Sequence, residues 1–165
     1  MSTNIGFNEM ALRHMVWANH KFFTEVAGLP AECLTATYGP SDWTVAHILK
    51  HMAGGFEWYN FLLTKAQWKD LEVPTTAADV LALRDYKDEM SEIFLAQSLM
   101  PNDDVSFEDE AGKIQTVTKA MVLNQAVYHS TEHRAHIATA IEVQGIVKID
   151  LDSYDFWGFY ETLKA

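Results

Sequence analysis

The sequence lacks the features of secreted, membrane-spanning and nucleic-acid-binding proteins. Its single cysteine, Cys33, cannot form an internal disulfide, which fits a reducing compartment. Lysine and arginine number 12 against 23 aspartates and glutamates, so a formal charge of -11 disfavours binding to nucleic acid or anionic lipid. No apolar run approaches the roughly 20 residues that span a bilayer, and the polar N-terminus lacks a signal-peptide pattern. We therefore expect a cytoplasmic protein.

The chain does have enough apolar sequence for one buried core. Hydrophobic residues make up 48% of its 165 residues and aromatic residues 12%, which favours a single domain over residues 1–165. Cys33 lies in a loop-like, proline-containing segment with no histidine at helical spacing. We therefore do not expect it to be a catalytic thiol.

Apolar residues recur in four long segments with the 3.6-residue period of an amphipathic helix. The spacing predicts helices over residues 6–28, 42–64, 76–99 and 118–144. Ser41 is the predicted N-cap of the second helix, and Thr76 with Asp79 resembles a capping box at the start of the third. Gly145 stands in the position favoured just after a helix end. The predicted fold class is all-α, with the four helices packed as a four-helix bundle.

Two further segments differ from these helices. Residues 103–117 contain short extended runs around a glycine, which predicts a β-hairpin or an extended loop. The C-terminal tail is rich in aromatic residues. There, Asp152 is the predicted cap of a short final helix that carries Tyr154, Trp157 and Tyr160 and packs on the bundle.

Histidine pairs four residues apart occur in the second and fourth predicted helices. His47 and His51 form one pair, and His129 and His133 form the other, so each pair lies on one helix face. Facing helices of a bundle can build a metal site from such side chains. Spacing leaves open whether the second helix contributes one histidine or both. His47 also fits a polar residue hydrogen-bonded to a neighbouring carbonyl.

The other histidines have weaker claims to such a site. His136 follows His133 by three positions, which fits a residue of the surrounding pocket. His14 and His20 belong to the first predicted helix, where we expect them at core or surface positions. We exclude those two from the metal ligands.

Two segments resemble the DinB/YfiT-like family of metalloenzymes. One is Trp43-Thr44-Val45 followed by His51-Met52-Ala53, and the other is NQAVYHSTEHR over residues 124–134. The resemblance extends to MVWANHKFFTEVAGLP in the first helix and to IEVQGIVKIDLDSYDFW near the end of the chain. In that family, the histidine eight residues after the tryptophan and both histidines of an H-x-x-x-H-R segment ligate one metal. The resemblance therefore implies His51, His129 and His133 as ligands, within a DinB-like helical bundle.

The sequence departs from the family where many relatives read RGQI, because here the segment reads RAHI. The fourth coordination position is therefore open to question at His136, and the family gives no role to His47. Three imidazoles leave a position for water or substrate and suit zinc, nickel, copper, iron or cobalt. We expect zinc first, since it is common and tolerates this shell, and nickel second, since similar proteins often carry it when they are purified on nickel resin.

The resemblance implies an enzyme that uses a low-molecular-weight thiol such as bacillithiol or mycothiol. A metal lowers the pKa of a bound thiol, and the resulting thiolate attacks an electrophile. The expected partners are thus a small-molecule thiol and an electrophile, and no catalytic side chain is identified. Trp17 and Trp58 fit the core better than a pocket wall for the electrophile, because large aromatics at helical spacing usually serve packing.

Two alternatives to a thiol-using enzyme also fit the sequence. In a metal-dependent hydrolase, the ion would activate water and Glu132 or Glu57 would act as general base. In a stress-induced metal-binding or interaction protein, no turnover would occur. No feature of the sequence selects between them. We also expect a homodimer in which the exposed face of a long helix pairs with its copy, and the aromatic-rich tail offers a further partner surface.

Overall fold

Five α-helices and one β-hairpin form the computed structural model, which describes residues 9–39 and 42–164. The helices are α1 (Glu9–Ala27), α2 (Val45–Thr64), α3 (Ala77–Ser98), α4 (Lys119–Val143) and α5 (Phe156–Thr162). The strands are β1 (Asp104–Glu108) and β2 (Ile114–Thr118). The protein is therefore mostly helical with a small antiparallel sheet. Within the described ranges, no helix combines the length and the apolar character needed to cross a bilayer.

The starts of the long helices test the predicted caps. Thr76 and Asp79 form the predicted capping box of α3, each side chain accepting from the other's backbone N–H. At α2, the N-cap is Thr44, whose hydroxyl accepts from the backbone N–H of His47. Ser41, the predicted cap, lies outside the described residues, as does the predicted first part of α1 over residues 6–8.

The C-terminal segment corrects one prediction. Asp152 caps no helix; instead, Asp150 caps a single 3₁₀ turn at Leu151–Tyr154. Asp155 then caps α5, its carboxylate accepting from the backbone N–H of Gly158. The predicted single helix is therefore divided into a 3₁₀ turn and α5, because Asp155 caps a new helix directly after the turn.

The four long helices enclose the core. Both α1 and α2 pack against α3 and against α4. Their buried side chains form two apolar clusters, one around Phe22, Phe23, Leu49, Met52, Ile137 and Ile141, the other around Leu12, Met15, Phe56, Phe94 and Leu123. Burying each such side chain contributes about 1.5–3 kcal/mol. Because α2 and α4 lie against each other, side chains on their facing sides meet.

The predicted hairpin is present and supports one aromatic of α2. Strands β1 and β2 pair antiparallel, and Gly112 takes a left-handed conformation in the turn with φ of 77°. The Asp109 carboxylate accepts hydrogen bonds from the turn backbone. Phe107 of β1 packs edge-on against Trp58, with ring centroids 5.3 Å apart. The hairpin thereby fixes Trp58 from one side.

Candidate metal centre

Three imidazoles meet between α2 and α4. His51 comes from α2, while His129 and His133 come from successive turns of α4. One ring nitrogen of each lies within 4.8 Å of the other two. The Nε2 atoms of His51 and His129 are 2.9 Å apart. The structure thus brings together the three side chains that the resemblance implies as ligands.

The surroundings keep these rings neutral. Burial lowers the pKa of His51 below its usual value. Burial lowers the pKa of His129 and of His133 to about 4, and the neighbouring imidazoles add to both shifts. Only a neutral imidazole has the lone pair that binds a metal. At neutral pH, the cluster therefore offers lone pairs and no positive charge to an incoming cation.

The hydrogen bonding of the cluster is incomplete. Within the described part of the chain, the buried Nδ1 atoms of His129 and His133 have no hydrogen-bond partner. Buried polar atoms are normally paired, so each exception needs an explanation. Tetrahedral zinc with Zn–N bonds of about 2.0–2.1 Å would separate two ligand nitrogens by about 3.3 Å. That separation falls between the observed 2.9 Å contact and the 4.8 Å limit, so the three residues fit a divalent metal.

The remaining candidate ligands lie outside this group. Among residues 9–39 and 42–164, no cysteine, aspartate or glutamate joins the three histidines. The Nδ1 atom of His47 lies 2.8 Å from the Thr44 hydroxyl instead, so the structure does not form the four-histidine arrangement. His136 is exposed, and its ring centroid is 5.4 Å from that of His133.

Histidines of α1 are engaged elsewhere, as expected. His14 is buried, stacks on the ring of Phe156, and has its Nε2 atom 2.7 Å from the backbone oxygen of Tyr154. His20 is exposed and lies against Asp88. Cys33 is also buried, and burial raises the pKa of its thiol, as in an unreactive core cysteine.

A buried polar network holds the neighbouring face of α4 against α1. Asn19 donates to the Ser130 hydroxyl at 3.0 Å and accepts from the Arg134 guanidinium at 2.6 Å. All three side chains are buried. Because Ser130 and Arg134 each follow a clustered histidine in sequence, the network fixes the rotation of α4 that directs those histidines towards α2. Sequence reasoning assigned no role to Asn19 or Arg134, whose contact joins residues 115 positions apart.

Two adjacent glycines in the middle of α2 also shape the site. A Cβ atom built on Gly55 would lie 2.8 Å from Cε1 of His129, so only glycine lets this ring pack there. A Cβ atom on Gly54 would meet nothing within 4 Å. Sequence reasoning missed both residues. The available signal was their position, because each glycine within a helix costs about 1 kcal/mol relative to alanine.

Two cavities open beside the histidines. The larger, of about 560 Å³, is lined in part by His51 and His129, and the smaller, of about 260 Å³, by His133 and His136. Trp43 lines both cavities, and its ring centroid is 4.8 Å from that of His51. The larger cavity has a volume typical of small-molecule sites. Both therefore give space beside the clustered imidazoles.

The two tryptophans considered from sequence separate in the structure. Trp58 lines the larger cavity, so the pocket-wall alternative fits it better than a purely core position. Trp17 instead packs against Phe159 at the junction of α1 and α5 and lines a separate cavity of about 530 Å³, whose lining includes none of the clustered histidines. The difference depends on which neighbours each ring meets, since both residues are at helical spacing.

The two glutamates considered as general bases do not face the cluster. Glu57 is buried, and its carboxylate accepts from the backbone N–H of Lys69 and from the Tyr86 hydroxyl, both at 2.7 Å. Glu132 is exposed and only raises the pKa of His133 through its charge, against the larger effect of burial.

Comparison with known proteins identifies one family. The model of the DinB family matches residues 1–159 of the chain, a span that includes His51, His129 and His133. Neither the curated proteins nor the solved structures that were compared give a significant match. The family match thus covers nearly the whole chain and both helices that carry the clustered histidines.

Proposed function

Because the chain belongs to the DinB family, we propose that it binds one divalent metal through His51, His129 and His133 and transfers a small thiol to an electrophile. The observation that carries the proposal is the cluster of three imidazoles from facing helices, with one ring nitrogen of each within 4.8 Å of the other two, beside two cavities. Structural zinc sites are normally closed by four protein ligands, whereas three ligands leave a position for a reactant. Zinc is the proposed ion, and nickel is the second choice.

The protein and the metal have separate parts in this reaction. When bound, a divalent metal supplies a Lewis acid that favours the thiolate form of a small thiol. The histidines hold the ion, and the two cavities beside them can each admit one reactant. The thiol sulfur forms a bond to the electrophilic carbon, the leaving group departs with the electron pair of the broken bond, and the thiol proton passes to solvent. The buried Cys33 takes no part.

Two features favour thiol transfer over metal-dependent hydrolysis. Many metal-dependent hydrolases place a carboxylate general base beside the metal, and no carboxylate joins the histidine group within the described residues. Glu57 is already engaged with Lys69 and Tyr86. In addition, a reaction of two organic substrates uses two cavities, whereas hydrolysis requires space for one substrate and a water.

The test supplies bacillithiol, mycothiol, glutathione and cysteine with 1-chloro-2,4-dinitrobenzene and follows conjugate formation. We expect turnover by metal-loaded protein with one of the thiols, and none by chelated protein or by the His133→Ala variant. The matched control is His20→Ala, which removes an exposed histidine distant in sequence from the cluster. Equal rates in all samples would overturn the proposal. Tight metal binding without turnover would favour a non-enzymatic metal-binding protein.

We also propose the architecture that the family implies. In it, α1 to α4 form a single-domain four-helix bundle over residues 1–165, with axes about 20° apart.

We further propose a homodimer. Two copies pair through the exposed face of α4, where Met121 and Tyr128 present apolar side chains. Sedimentation equilibrium tests the dimer, and Tyr128→Glu is expected to shift it to monomer. A wild-type monomer at high concentration would exclude the pairing.

A further inference from the structure

The larger cavity beside His51 and His129 indicates what kind of electrophile the protein takes. We infer that this cavity binds a substrate with a flat aromatic body and an anionic end. The inference rests on the proposed function, because it names the class of that reaction's second substrate.

Aromatic side chains form the walls of the cavity. Trp43, Trp58 and Trp68 all line it. Trp58 is held in place by the rings of Trp68, Phe61 and Phe107, with centroids 5.4, 5.7 and 5.3 Å away. Trp43 and Trp68 nevertheless remain 46% and 54% exposed. Large indole surfaces in this position offer faces on which a flat ring can stack.

The charge of the lining is opposite to that of the molecule. The chain carries a formal charge of -11, yet Lys50 and His47 line this cavity, and no aspartate or glutamate does so within the described residues. A basic group at the rim of an apolar cavity attracts an anion and fixes its orientation. Lys50 is half-buried on α2, one residue before His51, so an anionic group beside it places the attached ring along the tryptophans.

Gly54 explains how the cavity stays open. It lies within α2 and lines the cavity, and its missing Cβ atom would contact nothing within 4 Å. Packing therefore gives no reason for a glycine, although glycine costs about 1 kcal/mol in a helix interior. A side chain at this position would project into the space that a ligand needs. The neighbouring Gly55 differs, because it accommodates the ring of His129.

The test measures binding of 2-naphthoate by calorimetry and by tryptophan fluorescence, in metal-loaded and in chelated protein. The chelated arm excludes a simple carboxylate–metal contact. We expect wild type to bind 2-naphthoate at least tenfold more tightly than it binds 2-naphthylmethylammonium or cyclohexanecarboxylate. Gly54→Leu, which fills the cavity, and Lys50→Gln, which removes the positive charge, should each weaken 2-naphthoate binding at least tenfold. Ala78→Leu, which enlarges a small helical residue, and Lys148→Gln, which removes a positive charge, change exposed positions outside the cavity lining and should leave binding unchanged.

Elemental analysis of every variant separates this inference from the proposed function. Gly54→Leu with normal metal content and weak 2-naphthoate binding supports the inference. Equal binding by wild type and Gly54→Leu, no binding by wild type, or equal binding of the ammonium probe would overturn it. Absence of metal from wild type would overturn the proposed function alone, because the chelated protein still reports on the cavity.

Discussion

Two neighbouring faces of α4 carry buried polar side chains that differ in how completely they are hydrogen-bonded. Facing α1, Ser130 and Arg134 are joined by hydrogen bonds through Asn19. Facing α2, His129 and His133 retain buried Nδ1 atoms without a partner in the described residues. A satisfied network specifies how helices pack, whereas three converging imidazoles with incomplete hydrogen bonding, beside two cavities, are compatible with a metal site. The hydrogen bonds on the side of α4 that faces α1 thus hold the helix in the orientation that brings its histidines towards α2.

The largest expected effect is the loss of metal binding when one of the three clustered histidines is replaced. Replacing His51, His129 or His133 by alanine removes one of three ligands, so each variant should fall from about one bound metal per chain to near zero. Elemental analysis after dialysis against zinc, and separately against nickel, measures the change. His47→Ala and His20→Ala are the controls and should keep full stoichiometry. Full stoichiometry in His51→Ala would disprove the ligand set and make His47 the better candidate.

A large effect on the free energy of unfolding is expected where α4 faces α1, in the network of Asn19, Ser130 and Arg134. Asn19→Ala removes both hydrogen bonds and leaves the buried Arg134 guanidinium short of an acceptor, which should cost about 3 kcal/mol of unfolding free energy. Urea denaturation measures the cost. Thr131→Ala is the matched control, since this exposed hydroxyl accepts from Arg134 at 3.3 Å, and its loss should cost under about 1 kcal/mol. Equal costs for the two variants would show that the network does not fix α4.

Lys87 of α3 provides a third case, an unsatisfied group enclosed by apolar rings. It is fully buried, its Nζ atom has no hydrogen-bond partner among the described residues, and it lies 4.5 Å from the ring centre of Phe56. Burial lowers the pKa of this amine to about 7. Lys87→Met should raise the free energy of unfolding by about 3 to 4 kcal/mol at pH 7, because it removes the desolvation cost while keeping the volume.

The pH dependence of that gain identifies its cause. The folded pKa of about 7 lies below the value of about 10.4 expected in the unfolded chain, so the unfolded state binds the extra proton between these limits. The stability cost of Lys87 is therefore complete below pH 7 and declines as the pH rises towards 10. Urea midpoints of wild type and Lys87→Met should converge over this window. A constant difference would mean that shape, rather than charge, sets the effect.

Local sequence predicted what depends on local contacts. The four long helices follow from apolar periodicity, and the capping box of Thr76 and Asp79 joins residues three apart. The same reasoning chose Asp152 in place of Asp150 and Asp155, because all three carboxylates lie at capping distance from a helical turn. Only the fold of the tail shows which of them the backbone uses.

Tertiary neighbours decided the rest of the site. Spacing placed His47 and His51 on one helix face, and only the family resemblance favoured His51, which the structure places in the cluster. The contact of Asn19 with Arg134 and the close approach of Gly55 to His129 join different helices. No periodicity within one helix can reveal them. The distinction between Trp58 and Trp17 has the same origin.

The smallest expected effect separates the two glycines of α2. Gly54→Ala adds a methyl group that meets nothing within 4 Å, so the gain in helix propensity should raise the free energy of unfolding by about 1 kcal/mol with metal affinity unchanged. Gly55→Ala gains the same propensity but places its Cβ atom 2.8 Å from Cε1 of His129. The ring must then move away from His51, so the stability gain should vanish and zinc affinity should fall.

Urea denaturation measures the free energy of unfolding of both glycine variants, and competition with a chelator measures their zinc affinity. If both variants bind zinc as wild type does, the position of His129 does not depend on the missing side chain of Gly55, and the close packing of α2 on the histidine face of α4 is not what shapes the site.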